Sequence, residues 1–516
     1  MPPASATAST ASAPDHTPDL NPDETPIPFS RRIRDLAAAA PEATALVVVS
    51  AAGDEDVYTW RDIDRRSDQL ARTLAGRGIV CGDRIAIELV NSAELVLLVF
   101  ASWKIGAVPV PMRWDLPDWE RDRLHSVVAG RLSIRPDDLE SLLADADNQP
   151  DTPLPDVVAM QTNGICSSGS TGTPKVIITD RPTVWVPSMS EPFGANWMPI
   201  ERPQRMLGLA PLYHTNGFSC FTMMLGGDQI VLLQKFDAAL VVDLIERHRI
   251  TTFTATPTML QRIARLPDID TRDLSSIQFI LQGAAVLPPS VAHAWFDLIG
   301  PERVVMAYGM SEQLGLTSLR GNEWLAHPGS VGRGFRETEV AIIGPDGQRL
   351  GPGEIGEIYL RAPHTGAYSY LGEAPLLPRT ADGFATAGDL GYVDDDGYLY
   401  IADRRVDLIL SGGANVYPAE VESALADHPE IADVVVIGLP DDEWGQRVHA
   451  IVAPVNADAP PSAPDVIAFA KERLAAYKVP KTVEVVAEIP RTAATKVSRS
   501  ALVAERVSGP VGVNAQ

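Results

Sequence analysis

Cysteine is scarce in this chain, and neither its cysteines nor its histidines form a metal-binding pattern. Among the 516 residues there are three cysteines, Cys81, Cys166 and Cys220, which lie far apart and include no CxxC pair. The nine histidines show no HExxH or similar ligand spacing. We therefore expect neither a disulfide framework nor a structural zinc site, and we expect a reducing, cytoplasmic location.

Long apolar runs and a basic amino-terminal segment are also missing. The longest apolar stretch runs from Leu95 to Trp103 and stops at Lys104, whereas a membrane-spanning helix needs about 20 apolar residues. Residues 1–26 are mostly Ala, Pro, Ser, Thr and Asp, and the first arginine is Arg31. We therefore expect a disordered tail over 1–26 and neither a secretory signal nor a transit peptide.

Positive charge is in deficit. The chain has 43 Lys and Arg against 67 Asp and Glu, a formal net charge of −24. So acidic a surface repels nucleic acid and anionic membranes. A polyphosphate ligand would therefore have to be held by a local cluster of cations and backbone N–H groups.

Alternating apolar runs and amphipathic stretches predict an α/β fold. At ~100–200 residues per domain, the length predicts two to four domains. The runs Ala45–Val49 and Arg84–Val90 are typical of buried strands, and Trp60–Gly76 has helical spacing. Such alternation favours mostly parallel sheets.

Two later segments are expected to depart from this alternation. The acidic stretch Asp137–Pro155 predicts a surface connection. Glu339–Ile343 and Ile355–Leu360 flank a turn at Pro345–Gly347, which predicts an antiparallel hairpin. The GxGxxG pattern of Gly351–Gly356 precedes a strand and not a helix, so we interpret it as a turn and not as a dinucleotide site.

The segment Ser167–Lys175 gives the strongest local signal for a ligand. It contains several hydroxyl side chains, two glycines and a lysine, and these groups together can bind phosphate oxygens. Its spacing is not that of the GxxxxGK[ST] loop, and a plain polar turn is the alternative reading.

Other candidate residues are weak when taken singly. Glu312 follows an apolar run and Ser311, an arrangement that could hold Mg²⁺ against phosphates. His214 stands next to an aromatic residue, as many structural histidines do. Asp389 ends a turn, and Lys496 lies in a loop where a lysine is usually solvated. Their order along the chain is what distinguishes them.

That order resembles the acyl-adenylate-forming superfamily of acyl-CoA synthetases, aryl-CoA ligases, nonribosomal adenylation domains and beetle luciferases. The resemblance extends over Phe29–Val503 and includes Gly283–Leu287, Gly356–Arg361, Asp396–Arg404 and Ser411–Glu422. It implies a large multi-subdomain amino-terminal domain over 27–404 and a small, mobile α+β lid over 405–516. It also implies ATP, Mg²⁺, coenzyme A and a small-molecule acid as ligands.

The resemblance assigns roles by position. The residues that correspond to the binding site for the β- and γ-phosphates are Ser167, Ser168, Gly169, Ser170, Thr171, Gly172 and Lys175. Thr171 and Glu312 are expected to bind Mg²⁺, and Ser311 is expected to contact the α-phosphate. Asp389 and Arg404 are expected to bind ribose. The residues expected around adenine are Gly283, Ala284, Ala285, Tyr308 and Gly309. Lys496 is the expected catalytic cation, and His214 is expected to border the acyl pocket and the thiol channel.

Some positions depart from the family pattern. Val176 stands where Gly is usual, Ser170 and Ser311 replace Thr, Thr495 replaces Gly, and Val406 stands at the expected hinge. None of these changes removes a charge that adenylation needs, but Val406 puts the timing of lid rotation in question.

The predicted acyl pocket is mostly apolar and includes Asn216, Gly217, Met224 and Gln282. It favours a hydrophobic or aromatic carboxylic acid, which would be adenylated and passed to coenzyme A. One alternative is an ATP-dependent diazotase, which adenylates nitrite and transfers it to an arylamine acid. Another is a nucleotide-binding protein without catalysis.

Overall fold

The computed structural model describes residues 24–167, 175–363, 367–372, 376–404, 407–411, 414–441, 444–491 and 497–508. The helices are α1 Phe29–Ala39, α2 Trp60–Gly76, α3 Ala93–Lys104, α4 Asp118–Val128, α5 Pro136–Asp147, α6 Thr215–Leu225, α7 Ala238–His248, α8 Pro257–Ala264, α9 Pro289–Ile299, α10 Gly321–Trp324, α11 Pro418–Ala426, α12 Ala463–Lys471 and α13 Arg499–Ser508.

The strands are β1 Ile27–Pro28, β2 Thr44–Val49, β3 Glu55–Thr59, β4 Arg84–Ile87, β5 Val108–Pro111, β6 Leu132–Ile134, β7 Gly164–Ser167, β8 Lys175–Thr179, β9 Val184–Trp185, β10 Arg205–Gly208, β11 Gln229–Leu233, β12 Thr252–Ala255, β13 Phe279–Gln282, β14 Val304–Gly309, β15 Leu316–Arg320, β16 Arg333–Phe335, β17 Glu339–Ile343, β18 Gly356–Arg361, β19 Tyr368–Leu371, β20 Asp389–Val393, β21 Leu399–Arg404, β22 Ile409–Ser411, β23 Ala414–Val416, β24 Ile431–Asp441, β25 Gly445–Pro454 and β26 Thr482–Val485.

A nine-stranded sheet forms the centre of the amino-terminal region, in the order β16-β15-β14-β13-β12-β10-β11-β2-β3. Strands β14 to β2 along this order are parallel, and β15, β16 and β3 add antiparallel edges. Carboxyl ends of parallel strands lie at one edge of a sheet, where ligands of open α/β sheets bind. The predicted mostly parallel α/β architecture is confirmed.

Helix α3 is buried along its whole length and anchors one apolar core. The Ser92 side chain accepts from Leu95 N at 3.3 Å and caps the helix start. Trp103 packs against Phe29 and Phe221, with ring centroids 4.8 and 5.7 Å away. At its other end, buried Lys104 contacts two carboxylates of α2, so the charge that ends the apolar run is neutralised.

The prediction of a surface connection over Asp137–Pro155 is wrong for its first part, which is helix α5. Pro136 starts the helix, and the Asp138 side chain accepts from Arg135 N at 2.9 Å. Leu142 and Ala146 are buried. The acidic residues occupy one face only, which a count of charges along the sequence does not reveal.

Smaller sheets complete the amino-terminal region: parallel β5-β4-β6, antiparallel β19-β8-β7 and antiparallel β17-β18-β20-β21. The predicted hairpin is confirmed, since β17 and β18 pair antiparallel. The GxGxxG segment forms a turn before β18, with Gly353 at φ +80°.

The carboxyl-terminal region has its own sheet and core. Strands β23-β22-β25-β24 pair antiparallel, and β26 adds in parallel to β25. Val421 of α11, Val448 of β25 and Val466 of α12 are buried in one cluster. This confirms a small α+β unit, while the boundary at residues 404 and 405 and the tail over 1–26 stay predictions. Within the described ranges, no helix is long and apolar enough to cross a membrane.

Candidate active site

The carboxyl ends of the central strands open into a cavity of about 2270 Å³. Strands β12 and β13 end side by side at Ala255 and Gln282, and the neighbouring β14 continues past Met306 to Gly309. The cavity is lined there by residues of the loops that follow these strands. Residues of the carboxyl-terminal region, among them Arg491, Val497 and Ser498, line the same cavity.

The loop after β13 is held by the side chain of the strand's last residue. Gln282 Nε2 donates to the carbonyls of Ala285 at 2.6 Å and Gly283 at 3.2 Å. Ala284 has φ +74°, a conformation that costs a non-glycine residue energy and often occurs at binding sites. Ala284 and Ala285 are exposed and line the cavity, and their assignment to adenine stays a prediction. Gln282, expected in the acyl pocket, therefore positions this loop.

Tyr308 and Asp389 join two sheets at the cavity. The Tyr308 hydroxyl donates to Asp389 Oδ2 at 2.8 Å. Asp389 is the first residue of β20 and lies opposite Arg404 of β21 in the antiparallel register. The pairing of strands thus brings together the backbone positions of the two residues expected to bind ribose.

Lys175, Glu312 and Tyr370 form a charged triangle. Lys175 Nζ lies 2.9 Å from Glu312 Oε1 and 3.0 Å from the Tyr370 oxygen, and that hydroxyl donates to Glu312 Oε1 at 2.8 Å. Burial raises the pKa of Glu312, but the hydrogen bonds and charge of Lys175, with the Tyr370 hydroxyl, outweigh it and hold the pKa below its usual range. Glu312 is therefore ionised at neutral pH.

Tyr370 is a site residue that sequence reasoning missed. Tyr370 lies next to Lys175 because its strand, β19, pairs with β8, and β8 begins at Lys175. Burial and the neighbouring Glu312 carboxylate raise the pKa of Tyr370 above its usual value, so its hydroxyl remains a donor. No local pattern around Tyr370 pointed to this role.

The donor set suits Mg²⁺ only as a partner of phosphates. Within the described ranges, no group of three His, Cys, Asp or Glu residues could hold a metal ion by itself. Mg²⁺ is usually bound by one or two carboxylates together with substrate phosphates. Glu312 lines the cavity and supplies one ionised carboxylate, so the chain fits an ion that arrives with the nucleotide.

Ser311 and the start of helix α6 are linked directly. Thr215 Oγ1 lies 2.6 Å from Ser311 Oγ, and Thr215 is a second residue that sequence reasoning missed. His214 precedes α6, and its ring lies 4.7 Å from that of Tyr213. His214, Thr215 and Ser311 all line the cavity.

The predicted acyl-pocket residues separate into two groups. Asn216 lines the cavity, as does Gln282. Gly217 packs against the preceding turn, since an added Cβ would lie 2.1 Å from the Pro211 carbonyl oxygen. Met224 is 1 % exposed and belongs to the core cluster that contains Trp103. A role of Gly217 and Met224 beside the acid stays a prediction.

Seven of the predicted residues lie outside the described ranges: Ser168, Gly169, Ser170, Thr171, Gly172, Lys496 and the hinge residue Val406. Residues that flank two of these segments are nevertheless informative. Cys166 and Lys175 border the serine-rich segment, Arg491 and Val497 border the segment with Lys496, and all four line the cavity.

Comparison with known proteins agrees with this geometry. Residues 33–161 and 136–370 match the family described as AMP-binding enzyme, and residues 420–496 match the AMP-binding enzyme C-terminal domain. The chain belongs to the AMP-binding enzyme family. This confirms the predicted superfamily and fold, and the class of AMP-forming acid–CoA ligases.

Relatives of this AMP-binding enzyme act on several acids. A feruloyl-CoA synthase of Amycolatopsis sp. is 33% identical over 467 residues, covering 85% of this chain and 92% of the relative. The o-succinylbenzoate CoA synthetase of Bacillus subtilis, solved with its acyl-adenylate, has a TM-score of 0.76 at 29% identity and covers 93% and 98% of the two chains. An anthranilate CoA ligase solved with anthranoyl-AMP has a TM-score of 0.78 at 25% identity, covering 92% and 96%.

Proposed function

We propose that this protein converts a hydrophobic or aromatic carboxylic acid to its acyl-AMP with ATP, and then to a coenzyme A thioester. One observation carries the proposal. The loops at the ends of β13 and β14, the Lys175–Glu312 pair and lid residues on both sides of Lys496 line a single cavity. The aryl-CoA ligases among its relatives support the choice of acid.

In the first step the acid's carboxylate oxygen attacks the α-phosphorus of ATP, and pyrophosphate leaves with the electron pair of the broken P–O bond. Negative charge builds on the phosphoryl oxygens, and preorganised cations stabilise it. We assign this task to Lys496 and Lys175, with Ser311 and the segment Ser167–Gly172 as hydrogen-bond donors. Mg²⁺, held by Glu312 and Thr171, would neutralise phosphate charge.

The nucleoside would be held by the residues that the sheet edge presents. We assign adenine to Gly283, Ala284, Ala285, Tyr308 and Gly309, whose loops follow β13 and β14. We assign the ribose hydroxyls to Asp389 and Arg404. The Tyr308–Asp389 hydrogen bond would keep the carboxylate oriented for them.

In the second step the sulfur of coenzyme A attacks the acyl carbon, the bond from that carbon to the AMP oxygen breaks, and the thiol proton passes to solvent. We assign His214 to the border between acyl group and thiol. The lid over 405–516 would have to rotate between the two steps, since Lys496 serves only the first.

Exchange of labelled pyrophosphate into ATP tests the first step. We expect acid-dependent exchange in the wild type, and in Lys496→Ala a loss on the order of 100-fold, as for other deleted transition-state contacts. Lys471→Ala is the matched control, because Lys471 is exposed on α12 of the same region. Unchanged exchange in Lys496→Ala contradicts the proposal.

Product assays distinguish the alternatives. Thioester that forms only with acid, ATP and coenzyme A supports the ligase. AMP that forms only when nitrite is added to an aminoaryl acid, with no thioester, identifies a diazotase. ATP binding without turnover over a broad panel of acids identifies a protein without this catalysis.

A further inference from the structure

Phe193 and Trp197 both stack on the ring of Phe335 at the cavity, on elements that the proposed reaction does not use. The Phe335 ring lies 4.7 Å from Phe193 and 5.2 Å from Trp197, with interplanar angles of 26° and 19°. Phe193 and Phe335 line the cavity. They therefore offer flat apolar surface to a bound ring.

One cation sits on this stack. The Arg336 guanidinium carbon lies 5.4 Å from the Phe335 ring centroid and 5.9 Å from that of Phe193. Arg336 also lines the cavity. Among the residues that the structure describes, its nearest carboxylate is that of Glu191 at 3.8 Å, which is ion-pair distance but too long for a hydrogen bond. Its N–H donors thus remain available to an anion.

The backbone around Arg336 is strained in a way that fixes this position. Thr338 N donates to Phe335 O at 3.1 Å and closes a turn. Arg336 and Glu337, the two central residues, have φ +48° and +62°, where glycine or asparagine is preferred. The turn aims Arg336 at the rings although neither central residue suits it.

Strand pairing sets the distance from the stack to the nucleotide end of the site. Gly309 lies opposite Leu316, and Leu316 lies opposite Phe335. Two interstrand spacings amount to about 10 Å. An acid activated near Ser311 could therefore place an aromatic ring and a further group between the phosphates and Arg336.

We propose that Arg336 is a specificity-determining residue and that the preferred substrate is an aromatic dicarboxylic acid. One carboxylate would be adenylated, the ring would lie against Phe193 and Phe335, and Arg336 would bind the second carboxylate. Arginine suits this task because its planar fork can donate two parallel hydrogen bonds to a carboxylate. This inference rests on the proposed adenylation.

The test compares 4-carboxycinnamic acid with 4-methylcinnamic acid in acid-dependent pyrophosphate exchange. We expect the wild type to favour the carboxy compound by about tenfold or more in kcat/KM, as a hydrogen-bonded charge pair supports. Arg336→Asn should remove that preference by raising KM for the carboxy compound with little change in kcat, because the lost contact is remote from the reacting atoms. Asparagine tolerates the left-handed backbone, so the turn should still form.

Matched variants separate recognition from general effects. Arg333→Gln changes an arginine three residues before Arg336 that stacks on Tyr398, and it should leave the preference unchanged. Arg336→Lys should restore part of the preference, and Glu191→Gln should increase it. Equal use of both acids by the wild type, or an equal loss for both acids in Arg336→Asn, overturns the inference. Absence of exchange with every acid instead overturns the proposed function.

Discussion

At the scale of single residues, the charges of the site are matched before any ligand arrives. Lys175 and Glu312 pair at 2.9 Å, and Tyr370 donates to the same carboxylate oxygen. Without Glu312, the ammonium group of Lys175 would face the cavity with no carboxylate to neutralise its charge. In the proposed reaction, phosphate would pair with Lys175 and Mg²⁺ would pair with Glu312, so two new ion pairs would replace this one.

Glu312→Gln should expose the role of this carboxylate. The amide keeps the shape of the side chain but removes its charge, so we expect pyrophosphate exchange to fall by on the order of 100-fold and to need more Mg²⁺. A titration of exchange against Mg²⁺ concentration measures both effects. Glu323→Gln, on α10, is the control. An unchanged Mg²⁺ dependence in Glu312→Gln would remove Glu312 from the metal site.

At the scale of elements, helix α6 is placed by a glycine. Its first turn carries Gly217, whose Cα approaches the Pro211 carbonyl so closely that no side chain fits. The same turn presents Thr215 to Ser311 at 2.6 Å. Close packing of the helix start thus positions Thr215 beside Ser311, the residue that we assign to the α-phosphate.

Gly217→Ala should therefore act through packing. The added methyl group must push α6 away from the turn, and we expect a loss of about 1–3 kcal/mol in unfolding free energy. Activity should fall for small and large acids alike. Urea unfolding and an acid panel measure these effects, with Ser219→Ala on the same helix as control. A selective loss of bulky acids at full stability would instead place Gly217 in the pocket wall.

At the scale of the whole molecule, the two regions touch through Arg265 at the end of α8. Its guanidinium donates to the carbonyls of Ile431 at 3.2 Å and Ala432 at 3.3 Å. The next residue, Asp433, binds Arg491 through two contacts of 2.6 Å. Arg265, beside the central sheet, is thus linked through residues 431–433 to Arg491, which directly precedes the segment that contains Lys496.

Arg265→Ala should weaken this arrangement of the two regions. We expect pyrophosphate exchange to become about threefold to tenfold slower, because the variant loses hydrogen bonds worth about 1 kcal/mol. Thioester formation from a synthetic acyl-AMP should change less, because it does not need Lys496. Arg262→Ala, exposed on the same helix, is the control. Equal slowing of both steps would show that the contact does not favour the first.

Much of the fold followed from local pattern. The apolar run Ala45–Val49 and the helical spacing of Trp60–Gly76 predicted β2 and α2 to within one residue. Helix α5 was missed because its apolar positions lie between acids, and only packing shows which face they share. Lys175, Glu312 and Asp389 were expected in one site from their order alone, and the structure brings Lys175 and Glu312 together.

The sequence by itself indicated which chemistry the chain carries, because its glycine- and hydroxyl-rich segment, acids and lysines stand in the order that resembles the acyl-adenylate-forming superfamily, and residue types that bind phosphate are visible without a fold. Tertiary structure alone decided that Tyr370 joins Lys175 and Glu312, that Gln282 holds the loop after β13, and that Arg336 stands on two aromatic rings. The Tyr370 contacts depend on the pairing of β19 with β8, and the contact of Arg336 with Phe193 joins segments that are distant in sequence. The Gln282 hydrogen bonds are local, but they depend on the backbone conformation of the loop, and local residue patterns record neither.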